Sequence, residues 1–509
     1  MTSEWNDTAE SPSTPLLQRW DGIARRYFGG IAFSLTAFVF LVEWVPILFG
    51  GLWLDESFTW WQAHRGWHNA WAAASASPGT SPLFAALCSW FYFGPGKHME
   101  LWLRIPAFLA MLTAAFLVFR LADAWFGRNA AWLALVMFVS DKDIISRATE
   151  ARPYGLALAA CLGLMYGLHI WLSEKRVWAW LLFVASAILI PYWHFLFAAF
   201  FVVPAAYLAV WRFSGHKLPW LALGGSAILI AAAWLPLRGQ FLALQSAGHA
   251  LSFADMPNID TFIGILLPPR FVISAFLAVL TVQLILGDQL ASPLRRWRYL
   301  SLAAAFWMFS GPVELFAASE LRGYGMLVER YVIYIVAGMV LLAASYFARA
   351  RLYTSQAAVL GIFAGFSILA AASHHWRGPS LGSWREPAHE ISRIDPPGNV
   401  PVVVASGFVE SNSLDWQDST GANSYLYAPL QIYPISNRWY PLPYKLDAAA
   451  KAQTDRLLDG ALNGRARIFF LASMPTDLTQ WVTEHMEDRH YTAHWVSPDS
   501  IVLIEFDRN

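Results

Sequence analysis

The chain has 509 residues, of which 57% are hydrophobic and only 14% charged, with 27 tryptophans and a mean hydropathy of +0.42. A water-soluble chain carries roughly a quarter charged residues, so this composition excludes a disordered polymer and a disulfide-stapled secreted module and makes a bilayer the natural solvent. Thirty-five basic residues balance thirty-five acidic ones, which removes the electrostatic case for nucleic acid and leaves only the placement of charge to argue from.

The N-terminus is polar to Gln18 and carries Arg19, Arg25 and Arg26 before an apolar run at 31–51. That run is too long for a signal-peptide core and reads as an uncleaved first membrane helix. A span needs about twenty mostly apolar residues. Eleven runs qualify in chain order: 31–51, 101–122, 129–140, 154–172, 177–192, 195–211, 218–237, 271–286, 299–317, 331–347 and 355–372. The apolar segment 81–93 is shorter and suits an interfacial or re-entrant helix. Cys88 and Cys161 both lie in apolar stretches and read as small buried hydrophobes.

With a cytoplasmic N-terminus, the inner loops collect Lys175, Arg176, Lys217, Arg295, Arg296, Arg298, Arg349 and Arg351, and the positive-inside rule favours that orientation. The acidic residues Asp55, Glu56, Glu100, Asp141, Asp143, Glu150 and Glu329 then all fall outside, beside Arg104, Arg147, Arg152, Arg270 and Arg330. Mixed charges gathered on one face point to a site. From about Ser373 the composition turns polar and rich in Pro and Gly. There, 400–405 and 468–472 read as buried strands, 478–488 as an amphipathic helix, and 492–496 with 501–506 as a hairpin. The expected architecture is a polytopic α-helical membrane protein with a small soluble α/β domain. Its parts are a cytoplasmic segment at 1–30, a membrane domain at 31–372 and a periplasmic domain at 373–509.

The richest outer loop is Trp53-Leu54-Asp55-Glu56-Ser57-Phe58-Thr59-Trp60-Trp61, directly after the first span. Adjacent carboxylates there are either interfacial charges or the acid-base groups of a site, and the tryptophans around them form an interfacial belt. The next outer hairpin carries Asp141-Lys142-Asp143, then Arg147, Glu150 and Arg152. Asp-x-Asp either shares a divalent cation or caps and pairs locally. This is the one cofactor the residues admit. His64 and His68 have a helical metal spacing without a third ligand. Tyr192 and His194 sit at an outer hairpin, where their polar tips either meet a substrate or line the interface. Glu43 lies near the middle of the first span, where an ionisable group is costly and faces the bundle.

The ordered series Leu54-Asp55-Glu56-Ser57, Ser81-Pro82-Leu83, Leu103-Arg104-Ile105-Pro106, Phe126-Gly127-Arg128, Glu150-Ala151-Arg152-Pro153-Tyr154 and Glu329-Arg330-Tyr331 resembles a known family. It is similar to the bacterial integral-membrane glycosyltransferases of the GT-C fold, in the branch with protein O-mannosyltransferases and lipid A aminoarabinose transferases. Asp-Lys-Asp departs from that family's pattern, so a metal role gains nothing from the match. The resemblance implies inverting transfer of a sugar from a polyprenyl-phosphate carrier, at the outer face of the inner membrane, to a glycolipid, polysaccharide or protein acceptor. It implies Asp55 as the base, Glu56 positioning the acceptor or Asp55, and Arg104, Arg152, Arg270 and Arg330 as holders of the donor phosphate. Arg270 enters only because it follows Pro268-Pro269 at a helix start. Tyr154, Tyr192, His194 and Tyr331 are the substrate-facing candidates. A non-catalytic lipid or solute transporter is the competing class, and it calls for paired halves and helices broken at mid-membrane.

Overall fold

In a computed structural model of the chain, the described residues are 15–509 apart from 78, 95, 97, 252–253, 268–269, 287, 289, 293, 373–381, 413, 474–476 and 498–500. The side chains of 17, 247–251, 270–271, 286, 295–296 and 370 also lie outside the description. The chain divides into two compact units. One comprises Met1–Pro46, Pro106–Leu242 and Ala254–Trp376; the other comprises Ile47–Ile105, Ala243–Phe253 and Arg377–Asn509.

All eleven apolar runs fall on helices. Among the described residues, six helices are long and apolar enough to cross a membrane: Gln18–Ile47, Met99–Phe126, Tyr154–Glu174, Phe195–Phe213, Trp220–Ser246 and Trp297–Arg322. Five more runs lie on shorter apolar helices, Arg128–Val139, Val177–Trp193, Val272–Ile285, Ile335–Phe347 and Tyr353–Leu369. The segment expected to lie at the interface is a ten-residue helix, Pro82–Phe91. Its N-cap Ser81 accepts from the Phe84 amide, and a proline in its first turn is preset for a helix.

The core of the first unit gathers around Tyr154–Glu174, whose residues are almost all buried. This helix approaches Val177–Trp193 so closely that a Cβ at Gly167 would meet the Ala179 carbonyl at 2.7 Å, and one at Gly163 the Ser186 hydroxyl at 2.6 Å. The Gly-x-x-x-Gly spacing is what lets the two backbones pack.

The second unit carries a five-stranded sheet, β1 (Val402–Ala405), β2 (Trp439–Leu442), β3 (Arg467–Ser473), β4 (Tyr491–Ser497) and β5 (Ile501–Arg508), in the order β2-β1-β3-β5-β4. β2, β1 and β3 run parallel and β5 is antiparallel to β3 and β4. The expected strands and hairpin are all present. β2 was not anticipated because Pro441 sits inside it, which a strand tolerates only at an edge such as this one. Along the central strands alternate side chains serve two cores. Val403, Ile468, Phe470, Val502 and Ile504 face one, shared with residues of the helices Ala448–Asp459 and Asp477–Asp488. Val402, Val404, Phe469, Leu471 and Leu503 face the other, which Phe58 completes, with Leu54 and Trp61 packed against it. The first-loop helix is therefore built onto the sheet. Burial on both faces explains why these strands read as unbroken apolar runs.

Candidate active site

The helix Leu54–Ala63 begins at Trp53, whose extended backbone leaves its amide to donate to Glu56 Oε2 at 3.2 Å. Glu56 is fully buried, and Arg104 grips it as a fork: Nε reaches Oε1 at 2.7 Å and Nη2 reaches Oε2 at 2.6 Å. The other guanidinium hydrogens go to main-chain oxygens. Nη1 donates toward Ile47, Leu48 and Gly50 at 2.8, 3.2 and 2.6 Å, and Nη2 donates to Gly51 at 2.9 Å. Every donor of Arg104 is thereby engaged. The guanidinium offered by sequence as a phosphate holder stands instead as the hub of the loop leading to Asp55. Asp55 itself is part-exposed at the first turn of the helix, where the helix N-terminus favours a carboxylate.

A second set of groups holds the same loop. Arg385 donates from Nη1 to the Phe49 carbonyl at 3.0 Å and from Nη2 to Glu100 at 2.5 Å. Tyr433 donates to Glu100 at 3.1 Å and accepts from the Leu52 amide at 2.7 Å. Burial, with the Glu100 carboxylate beside it, pushes the Tyr433 phenol up, so it stays protonated and able to donate. A Cβ on Gly51 would meet the Ser383 hydroxyl at 2.0 Å, so only glycine fits there. Sequence reasoning missed Arg385 and Tyr433. They lie more than 280 residues from their partners along the chain, and no local pattern marks them.

In the other unit, four of the remaining candidates come together with Arg330. The rings of Tyr154 and His194 are 5.4 Å apart, His194 and Tyr331 5.1 Å, and Tyr154 and Tyr331 6.5 Å. Arg152 lies 5.8 Å from the Tyr154 ring centre and Arg330 5.6 Å from that of Tyr331. Burial, then the positive charges of Arg152 and Arg330, push His194 down to about 3, so its imidazole is neutral at any working pH. Among the described residues, the buried His194 Nδ1 and Tyr154 hydroxyl have no hydrogen-bond partner. Buried polar atoms without partners are rare. Two guanidinium groups, a neutral imidazole and phenol hydroxyls make a donor-rich place suited to an anion.

The other candidates are placed elsewhere. Tyr192 donates to the Ala233 carbonyl at 2.8 Å and ties two helices together. Arg270 begins the helix Arg270–Leu286, but its side chain and Pro268-Pro269 lie outside the described residues. Asp141 caps the helix Lys142–Ala148, with Oδ1 accepting from the amides of Asp143 and Ile144. Burial, and the Asp143 carboxylate next to it, push its pKa up to about 7. Among the described residues no three His, Cys, Asp or Glu side chains are grouped as metal ligands. Asp141 is therefore seen in its local capping role. His64 stacks on Trp60, directs Nδ1 at the Trp60 carbonyl and accepts from Arg65 at Nε2, which spends both ring nitrogens. At the end of the helix that Asp141 caps, Arg147 pairs with the buried Glu150.

Among solved structures, the chain is similar to ArnT from Cupriavidus metallidurans bound to undecaprenyl phosphate, at 11% identity and a TM-score of 0.54, covering 94% of this chain and 98% of that one. The chain has the GT-C fold. The apo state of the same ArnT matches at 12% identity with the same coverage and TM-score. The oligosaccharyltransferase AglB from Archaeoglobus fulgidus, in complex with an inhibitory peptide and a dolichol-phosphate, is 11% identical over 95% of this chain and 74% of that one, with a TM-score of 0.49. No protein-family model matches the chain, and no curated protein matches it.

Proposed function

We propose that the chain is a membrane glycosyltransferase that moves a sugar from a polyprenyl-phosphate carrier to an acceptor hydroxyl with inversion. The observation that carries this reading is the convergence of Arg152 and Arg330 on a neutral His194 beside Tyr154 and Tyr331. A fold shared with ArnT, solved with undecaprenyl phosphate bound, supports the same donor class. In the proposed reaction Asp55 takes the proton of the acceptor hydroxyl as its oxygen attacks the anomeric carbon. The bond from that carbon to the phosphate oxygen breaks, and the lipid phosphate departs onto Arg152 and Arg330. Glu56 acts by holding the start of the Asp55 helix, and Arg104 by holding Glu56. The acceptor is a glycolipid, polysaccharide or protein. The excess of inner-loop lysine and arginine supports an enzyme working at the periplasmic face of a bacterial inner membrane, with the C-terminal domain on that side.

Donor choice is the direct test. Losing one partner of a buried charge-assisted contact costs about 2 to 5 kcal/mol, so Arg330→Ala should weaken polyprenyl-phosphate binding roughly 30-fold or more. Arg330→Lys should recover little, because the planar fork is gone. Efficient turnover with a soluble nucleotide sugar and no polyprenyl carrier would overturn the proposal.

A further inference from the structure

The first unit holds a groove of about 530 Å³ that the proposed chemistry leaves unused, lined by side chains of Arg270–Leu286, Arg295–Arg322 and Ile335–Phe347. Its walls are Val272, Phe276, Met308, Met339, Leu342 and Tyr346, almost without polar atoms. Ile273 and Phe276 at its mouth are exposed. The polar side chains of the lining are Ser301 and Ser345, whose hydroxyls hydrogen-bond to each other at 3.1 Å, and two arginines. Arg298 stands in the first turn of its helix, and Arg349 follows the last turn of the neighbouring one.

Helix geometry puts both cations at the same end. Met308 lies ten residues beyond Arg298 and Met339 ten residues before Arg349, and the backbones meet where a Cβ on Gly338 would touch the Met308 amide at 2.8 Å. Ten residues of helix rise about 15 Å, which is half the roughly 30 Å hydrocarbon core. The groove is thus one leaflet deep, apolar along its length and cationic at its rim. Arg349 donates from Nε to the Ala291 carbonyl at 3.0 Å while lining the groove.

We infer that this groove is a binding site for an anionic diacyl phospholipid, with acyl chain in the apolar cleft and phosphate at Arg298 and Arg349. The chemistry is complementary at both ends. Basic pockets between membrane helices bind anionic headgroups, and lipid chains fill apolar clefts without needing a polar partner. A sugar donor carrying polyprenyl phosphate is not the occupant, because the cleft is one leaflet long and is separate in its residues from the Arg152, His194 and Arg330 cluster.

Native mass spectrometry of the full chain in detergent, doped with phosphatidylglycerol, phosphatidylethanolamine or polyprenyl phosphate, tests this. The wild type should retain phosphatidylglycerol in preference to the other two. Each basic residue at a membrane surface contributes about a factor of five, so the double variant Arg298→Gln, Arg349→Gln should lose about 30-fold of that preference. Ala343→Trp, which fills the groove and keeps both arginines, should abolish retention. As a reading that does not depend on that variant folding, phosphatidylglycerol with brominated chains should quench Trp297, taken as the difference from Trp297→Phe. Equal retention of all three lipids, selective retention of polyprenyl phosphate, or an unchanged preference in the double variant would each overturn the inference.

Discussion

Glu56 is sealed from solvent and accepts both prongs of the Arg104 fork, whereas Asp55, one residue earlier, is part-exposed. The two carboxylates therefore fail in different ways. Breaking one side of a buried ion pair leaves an uncompensated charge and costs about 3 to 5 kcal/mol, so Arg104→Ala and Glu56→Gln should lower the thermal unfolding midpoint of the purified chain, and Arg104→Lys should rescue little. Asp55→Asn should leave that midpoint unchanged. A second residue-scale prediction concerns Asp141, whose folded-state pKa of about 7 lies above the ordinary carboxylate value. Below the unfolded value both states bind the proton. As pH rises from there to about 7 the unfolded state loses it first, so the unfolded chain binds fewer protons and stability falls. Asp141→Asn keeps an oxygen for the helix cap and removes the penalty. Thermal unfolding should show the variant stabilised at pH 8 and not at pH 4; equal effects at both would contradict the burial argument.

At the scale of elements, the loop 47–53 is held through its main chain. Arg104 and Arg385 bind its carbonyls and Tyr433 its Leu52 amide. Gly51 sits where a methyl group would collide with Ser383. Gly51→Ala should therefore shift the loop and lower turnover at least as much as stability, and Ser383→Gly should recover part of the loss. Unchanged kcat in the single variant would show that the loop does not position Asp55. The helices on the apolar runs, the helix Asp477–Asp488 and β1, β3, β4 and β5 were legible in the sequence, because run length and apolar alternation are local signals, whereas the segment read as a loop at 53–61 is the helix Leu54–Ala63. β2 was hidden by Pro441, and the Glu100-Arg385-Tyr433 group by chain distance. Arg104 was offered as a holder of the donor phosphate, since sequence cannot show that Glu56 and backbone oxygens occupy its donors.

For the whole molecule, one unit holds a carboxylate on a clamped helix, and the other holds two arginines gathered with His194, Tyr154 and Tyr331. The motifs named these residues as candidates, while the packing of Phe58 into the sheet of the C-terminal residues was not legible because it joins segments more than 300 residues apart. The central claim is that Asp55 is the base. The measurement that tests it most directly is sugar transfer by the purified chain in vesicles loaded with polyprenyl-phosphate sugar, comparing the wild type with Asp55→Asn and measuring lipid-phosphate binding in parallel. A general base contributes about 100- to 10,000-fold, so turnover should fall by that order while binding of polyprenyl phosphate stays close to wild type. Wild-type turnover in Asp55→Asn would contradict the account.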